Sequence, residues 1–288
     1  MSELSRRVIV ALIGAPLVIG IIWLGDAALA TLASAMAAIG AYEFYRIARG
    51  AGEAPLSGVG IVLSALIPLA VHGQFLGVIN VPLVVLPLVV VGILALTIWM
   101  RGVDGRPLGA ASTTLFGALY TGGTLAFVYA LRYHNYAVGD AAGALVVLFP
   151  IILTWASDIG AYFSGRLIGG RKLMPSVSPG KTVAGAIGAI VFTVLTAYAF
   201  TTGLLRPQAQ LAFTPWGLVL FGVIVSVVAQ VGDLAESLIK REGGVKDSGS
   251  IFPGHGGVLD RLDSLFFVLP VAYALYDLLL IPAPGVTS

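Results

Sequence analysis

The chain has 288 residues, of which 58% are hydrophobic and only 10% charged, and its mean hydropathy is +0.99. Soluble domains carry about 25% charged residues, so this composition excludes a water-soluble fold and indicates an all-α polytopic membrane protein with lipid covering its outside. A net charge of +2 gives no reason to expect a nucleic-acid partner, and the lack of cysteine excludes disulfides, thiolate metal sites and a thiol nucleophile.

Apolar segments of bilayer-spanning length, roughly 20 residues each, are predicted in chain order at 7–25, 27–48, 59–79, 80–100, 113–132, 143–166, 181–203, 214–240 and 257–281. The third is the weakest, because Pro68, His72 and Gln74 interrupt it. The first resembles a signal peptide in its basic start and in Ala28-Leu29-Ala30, but Val8 to Leu24 exceeds the usual apolar core of about 7–15 residues. It is read as a retained span. Two parts are expected: residues 1–140 for packing, lipid and dimer contacts, and 141–288 for the site.

Nine spans with a cytoplasmic N-terminus put Arg6, Arg7, Arg46, Arg49, Arg101, Arg106, Arg166, Arg171, Lys172, Lys181, Lys240, Arg241, Lys246 and Arg261 inside. Only Arg132 and Arg206 fall outside, a strong positive-inside bias. The longest polar segments, 167–180 and 241–256, then both face the cytoplasm. Glycines such as Gly117, Gly122, Gly123, Gly185 and Gly188 suit close helix packing in lipid.

Ionised groups concentrate between Asp233 and Asp263. Asp233, Glu236, Ser237 and Lys240 fall at i, i+3, i+4 and i+7, hence on one helical face. Asp233 lies about 10 Å below Lys240 along that helix. A carboxylate so deep costs about 2.5–3.5 kcal/mol unless a cavity, a metal or a cation receives it. Glu236 and Lys240 at i, i+4 also fit a plain ion pair. Asp260 and Asp263 share a face at the start of the last span, where the helix dipole favours acids, so that capping is the plain alternative for Asp263.

Taken with Asp233, these acids offer the hard oxygen ligands of a Mg²⁺ site. The loop between them carries Lys246, Asp247, His255 and the pair Gly256-Gly257; glycines let backbone N–H groups approach an anion. Span six supplies Ser157, Asp158, Tyr162 and Arg166, with Asp158 about 12 Å from Arg166 and so at a depth like that of Asp233. The next loop, with Arg171, Lys172, Ser176, Ser178, Lys181 and Thr182, is basic and hydroxyl-rich, as a phosphate grip is. Gly180-Lys181-Thr182 is not a Walker motif: the motif's first glycine would fall at Pro175, and no strand is expected before it.

Ser237-x-x-Lys240-Arg241-x-x-x-x-Lys246-Asp247, followed by Pro253-Gly254-His255-Gly256-Gly257-x-x-Asp260-Arg261-x-Asp263, resembles the signature of phosphatidate cytidylyltransferases, or CDP-diacylglycerol synthases. Ser157-Asp158-x-x-Ala161-Tyr162-x-x-Gly165-Arg166 and Ser178-Pro179-x-Lys181-Thr182 are similar to further segments of that family. Ala184 departs from it, because a glutamate is common there. The resemblance covers about 150–270 firmly and the first half more loosely, through Glu43-Phe44-Tyr45 and Gly117-x-x-Tyr120.

The resemblance implies cytidylyl transfer from CTP to phosphatidate, giving CDP-diacylglycerol and pyrophosphate. It implies an all-helical Mg²⁺-dependent homodimer, in the inner membrane with its site facing the cytoplasm. Asp233, Asp260, Lys240 and Arg261 are the expected catalytic residues. Lys181, Ser178, Ser237, Arg241, Lys246, His255 and Arg166 are expected to bind substrate, and Asp233, Asp260, Asp263 and Asp158 to hold metal, with Asp233 and Asp260 meeting at one ion. A CTP-dependent lipid-alcohol kinase would need a base for its hydroxyl substrate. A transporter would place its acids in broken helices near the midplane, whereas these cluster toward one face.

The charge asymmetry makes a direct prediction. A Ser250→Cys variant of this cysteine-free chain reacts with an impermeant maleimide only from the cytoplasmic side. Labelling from the outside alone reverses the orientation.

Overall fold

Backbone in hydrocarbon must satisfy its own N–H and C=O groups, so long apolar runs fold as helices. The computed structural model describes residues 3–251 and 256–283. Its helices are α1 (Glu3–Leu24), α2 (Asp26–Gly50), α3 (Ser57–Phe75), α4 (Val85–Met100), α5 (Pro107–Ala118), α6 (Phe127–Arg132), α7 (Asp140–Leu167), α8 (Val183–Phe200), α9 (Pro215–Glu242) and α10 (Leu259–Leu279). The protein is an all-α polytopic membrane protein. Among the described residues, seven helical stretches are long and apolar enough to cross a membrane, with α5 and α6 joined as one at Pro107–Arg132. Leu12–Leu24 and Val85–Met100 are shorter apolar helices. The interrupted segment at 59–79 forms the unbroken helix α3, while the one at 80–100 becomes helical only at Val85, after Pro82.

Two antiparallel strand pairs accompany the helices: β1 (Lys172–Met174) with β2 (Ser178–Thr182), and β3 (Leu211–Phe213) with β4 (Leu280–Pro282). The first corrects the expectation that no strand precedes Gly180-Lys181-Thr182. These residues themselves lie on β2, reached from β1 by a turn closed by Val177 N–H to the Met174 carbonyl (3.2 Å). The segment still differs from a phosphate loop, because it is paired strand up to Thr182. The Thr182 side chain then caps α8 by accepting from Gly185 N (3.1 Å).

The chain forms two compact units. The first holds residues 1–17, 26–129 and 238–262, and the second 18–25, 130–237 and 263–288. In the first unit, α2, α3 and α5 meet around Tyr45, fully buried, whose hydroxyl donates to the Thr114 carbonyl (2.6 Å). A side chain at Gly60 or Gly117 would overlap the Tyr45 ring. Between α5 and α6 the helix widens into a π-turn, Leu119–Gly123. There a Cβ on Gly122 would come within 2.7 Å of Ser64 Cα, and Ser64 Oγ meets Thr121 Oγ1 at 2.7 Å.

In the second unit, α7 and α8 pack through glycine. A Cβ on Gly160 would lie 2.7 Å from the Gly188 carbonyl, and one on Gly185 2.8 Å from that of Ala161. Phe149, Phe221 and Tyr276 stack with centroids 5.2 and 5.3 Å apart, and the Tyr276 hydroxyl donates to the Val146 carbonyl (2.8 Å). Arg132, 3% exposed, donates to the last carbonyls of α1, Ile22 (3.0 Å) and Trp23 (3.1 Å), and pairs with Asp140 (2.9 Å). It fills the acceptors that a helix end leaves open.

Arg132→Ala strands two carbonyls and lowers stability by about 2–4 kcal/mol. Arg206→Ala, at an exposed position, stays within about 0.5 kcal/mol. Thermal unfolding of both variants in detergent checks the contrast; equal effects contradict the capping role.

Candidate active site

A cavity of about 460 Å³, lined by both charged and apolar groups, opens in the second unit. That volume lies within the range of small-ligand sites, about 300–1,000 Å³. Asp158, Tyr162 and Arg166 reach it from α7, Lys181 and Thr182 from the end of β2, and Gln230 and Asp233 from α9. The glycine contacts between α7 and α8 place these elements. Gly160 follows Asp158 by two residues, and α8 begins two residues after Lys181.

Lys181 Nζ is 2.7 Å from Asp233 Oδ2, with the two side chains 23% and 33% exposed. Ser237 Oγ lies 3.4 Å from the other oxygen of Asp233. The Arg166 guanidinium donates to the Tyr162 hydroxyl (2.6 Å). Gln230 is steadied by the Ser226 carbonyl (3.2 Å), and Ser226 Oγ meets Ser157 Oγ (3.0 Å). Ser178 lies on the same strand as Lys181. Asp263 accepts from Ser264 N–H (2.6 Å), where α10 packs on α9: a Cβ on Gly232 would lie 2.9 Å from the Asp263 carbonyl.

In the first unit the acids are organised differently. Lys240 Nζ is 2.7 Å from Asp260 Oδ1, and both side chains are partly buried, at 12% and 6% exposure. The second oxygen of Asp260 accepts from Ser248 N–H (2.8 Å), Ser248 Oγ–H (2.9 Å) and Gly257 N–H (2.8 Å). Glu43, 1% exposed, accepts from Ser248 Oγ–H (2.9 Å), Val258 N–H (3.2 Å) and Leu259 N–H (2.8 Å). The backbone donors near Gly257 therefore serve the chain's own carboxylates. Arg241 donates to the Val245 carbonyl (3.2 Å), and Arg241, Lys246 and Arg261 are exposed. His255 lies outside the described residues.

The structure thus joins Asp158, Arg166, Lys181 and Asp233 in one cavity, and Lys240 with Asp260 in a partly buried pair. Asp233 belongs to the second unit and Asp260 to the first. Sequence reasoning gave Glu43 no role and passed over Ser248 and Gln230. The signal for Glu43 was present: an acid within a long apolar helix requires a polar partner.

The cavity's donor set suits a hard divalent ion. Asp158 and Asp233 are oxygen donors of the kind Mg²⁺ takes. Among the described residues, however, no group of three or more acidic or histidine side chains is placed to hold a metal, so the expected set with Asp260 and Asp263 is not gathered. Asp260 is less suited in this arrangement, because Lys240, two backbone N–H groups and a hydroxyl shared with Glu43 already surround its oxygens.

Residues 5–279 match the cytidylyltransferase family. A phosphatidate cytidylyltransferase of Brucella melitensis biotype 1 is 33% identical over 279 residues, 95% of this chain and 93% of that one. The phosphatidate cytidylyltransferase of Bacillus subtilis (strain 168) is 42% identical over 161 residues, 56% of each chain. That of Haemophilus influenzae (strain ATCC 51907) is 42% identical over 149 residues, 51% of this chain and 50% of that one. The last two matches span only about half of those relatives' length. With a family match from residue 5 to residue 279 and a relative aligned over nearly its whole length, the chain belongs to the cytidylyltransferase family.

Proposed function

We propose that this protein transfers a cytidylyl group from CTP to phosphatidate, giving CDP-diacylglycerol and pyrophosphate. The observation that carries the reading is the cavity of the second unit, where Asp158 and Asp233 face the same space as Arg166 and Lys181. A triphosphate needs cations for its oxygens and a metal at the reacting phosphorus, and this lining offers both kinds of partner. The names of the relatives supply the two substrates.

In the reaction a phosphate oxygen of phosphatidate attacks the α-phosphorus of CTP. The bond from that phosphorus to the bridging oxygen breaks, and pyrophosphate leaves with the electron pair. No base is required, since a phosphate monoester is already ionised at neutral pH. Catalysis then consists of positioning and charge neutralisation. Arg166 and Lys181 receive phosphate oxygens, and exposed Arg241, Lys246 and Arg261 draw the anionic nucleotide from the aqueous side. Lys240, oriented by Asp260 within the first unit, is kept from the sequence motif as a further candidate cation.

Mg²⁺ is part of the proposal, with Asp233 and Asp158 as its protein ligands; when bound it withdraws charge from the phosphate oxygens. Lys181 is then free to exchange the Asp233 carboxylate for a phosphate. The proposal extends to a homodimer in the inner membrane with the site facing the cytoplasm, supported by the basic residues at that end.

Purified protein given CTP, phosphatidate and Mg²⁺ is expected to release CDP-diacylglycerol, and chelation of the metal to stop it. No product under these conditions refutes the reading. Lys181→Ala is expected to raise the KM for CTP by about tenfold or more, the value of a lost charge-assisted contact; an unaltered CTP response removes Lys181 from the site.

The two ion pairs differ in how much stability depends on them. Lys181–Asp233 is partly exposed and contributes less than about 1 kcal/mol, so Asp233→Asn stays folded while kcat falls by about a hundredfold or more. Lys240–Asp260 is more enclosed, and Asp260→Asn costs about 3–5 kcal/mol of stability. Thermal unfolding and turnover measured on the same preparations check both. Near-normal turnover in folded Asp233→Asn ends its assignment.

A further inference from the structure

We propose that Glu43 is a positioning residue: from α2 it fixes Ser248 and the start of α10 so that Asp260 holds the Lys240 ammonium in one orientation. The catalytic half of this inference rests on the cytidylyl-transfer reading.

The geometry begins at the N-terminal start of α10. Its first N–H groups have no acceptor within the helix, and those of Val258 and Leu259 are taken by Glu43, more than two hundred residues earlier in the chain. A local side chain would suffice to cap a helix. The Glu43 carboxylate does more, because it also accepts from Ser248 Oγ (2.9 Å), and that hydroxyl sits at the same 2.9 Å from Asp260 Oδ2. The hydroxyl has one proton for two carboxylates, and its oxygen in turn accepts from Asp260 N–H (3.3 Å).

Displacing Glu43 therefore moves Ser248, then Asp260, then Lys240, which the remaining oxygen of Asp260 holds at 2.7 Å. Arg46, one turn along α2, donates to the Ser248 carbonyl and fixes the same point from the backbone side. Glycine makes the wrap possible: a Cβ on Gly249 or Gly257 would run into the Glu43 carboxylate, and Gly256, at φ +80°, leaves room for that of Asp260. The Gly256-Gly257 pair is thus shaped around these two acids.

Glu43→Gln tests this. Glutamine keeps the shape and one acceptor oxygen but turns an NH₂ toward donors, so at least one of the three loses its partner. In hydrogen–deuterium exchange, amides 257–260 are expected to exchange at least about tenfold faster, while those of 183–188 do not change. In the CTP assay, kcat per folded molecule is expected to fall at least about tenfold, with the KM for CTP moving less than about threefold because the cations of the cavity remain.

A structural role alone lowers the yield of folded protein and leaves kcat per folded molecule intact. Ser248→Ala, which removes only the bridging hydroxyl, is expected to give the same split and decides the matter if Glu43→Gln does not fold. Normal kcat in a folded variant, or unchanged exchange at 257–260, overturns the inference. If the unaltered protein makes no CDP-diacylglycerol, the functional reading fails instead, and the exchange measurement still decides whether Glu43 holds the start of α10.

Discussion

A carboxylate removed from water must be given hydrogen-bond donors or a cation by the fold itself, and the N-terminal end of α10 is built around two of them. Glu43 and Asp260 together take the N–H groups of Ser248, Gly257, Val258 and Leu259, and they share the Ser248 hydroxyl. Loop, helix start and Lys240 are thereby fixed at once. Removing either acid leaves several donors unsatisfied in a low-dielectric setting, so the cost of the loss exceeds that of one ordinary hydrogen bond.

The second unit uses the same residue types for a different end. Its Lys181–Asp233 pair faces a cavity and keeps part of each side chain in contact with solvent. A partly solvated pair gives up either partner at small cost, which is the property the proposed function requires of it. The more enclosed pair keeps the Lys240 ammonium in one place, and the half-exposed pair is free to part. Glycine prepares both. At Gly160, Gly185 and Gly188 it lets α7 and α8 close together, and this brings Asp158 and Lys181 to one space.

Much of this was legible in the sequence. Length and apolarity gave the helices, since a run of apolar residues in lipid has only one way to satisfy its backbone. The depth of Asp158 and Asp233, counted along their helices, placed both toward one cavity. What stayed hidden depends on long-range contact. Lys240 reads equally well as the i, i+4 partner of Glu236 and as that of Asp260, and periodicity does not choose between them. Glu43 meets its donors more than two hundred residues away, so no local pattern gives its role. The β1–β2 pair is only three and five residues long, and its glycine and prolines read as loop.

The charge pattern shows why a count of positive residues needs the contacts beside it. Under the proposed orientation Arg132 is one of two basic residues on the outer side, apparently against the bias. Its guanidinium, however, is buried and spent on the carbonyls of Ile22 and Trp23 and the carboxylate of Asp140. The end of α1 carries the negative pole of its helix dipole, so a cation is favoured there whichever side of the membrane it faces. Arg132 thus answers to helix termination, whereas under the proposed orientation and function the remaining arginines and lysines answer to topology and to an anionic substrate. The same side chain type serves three separate physical demands in one chain, and only its neighbours reveal which.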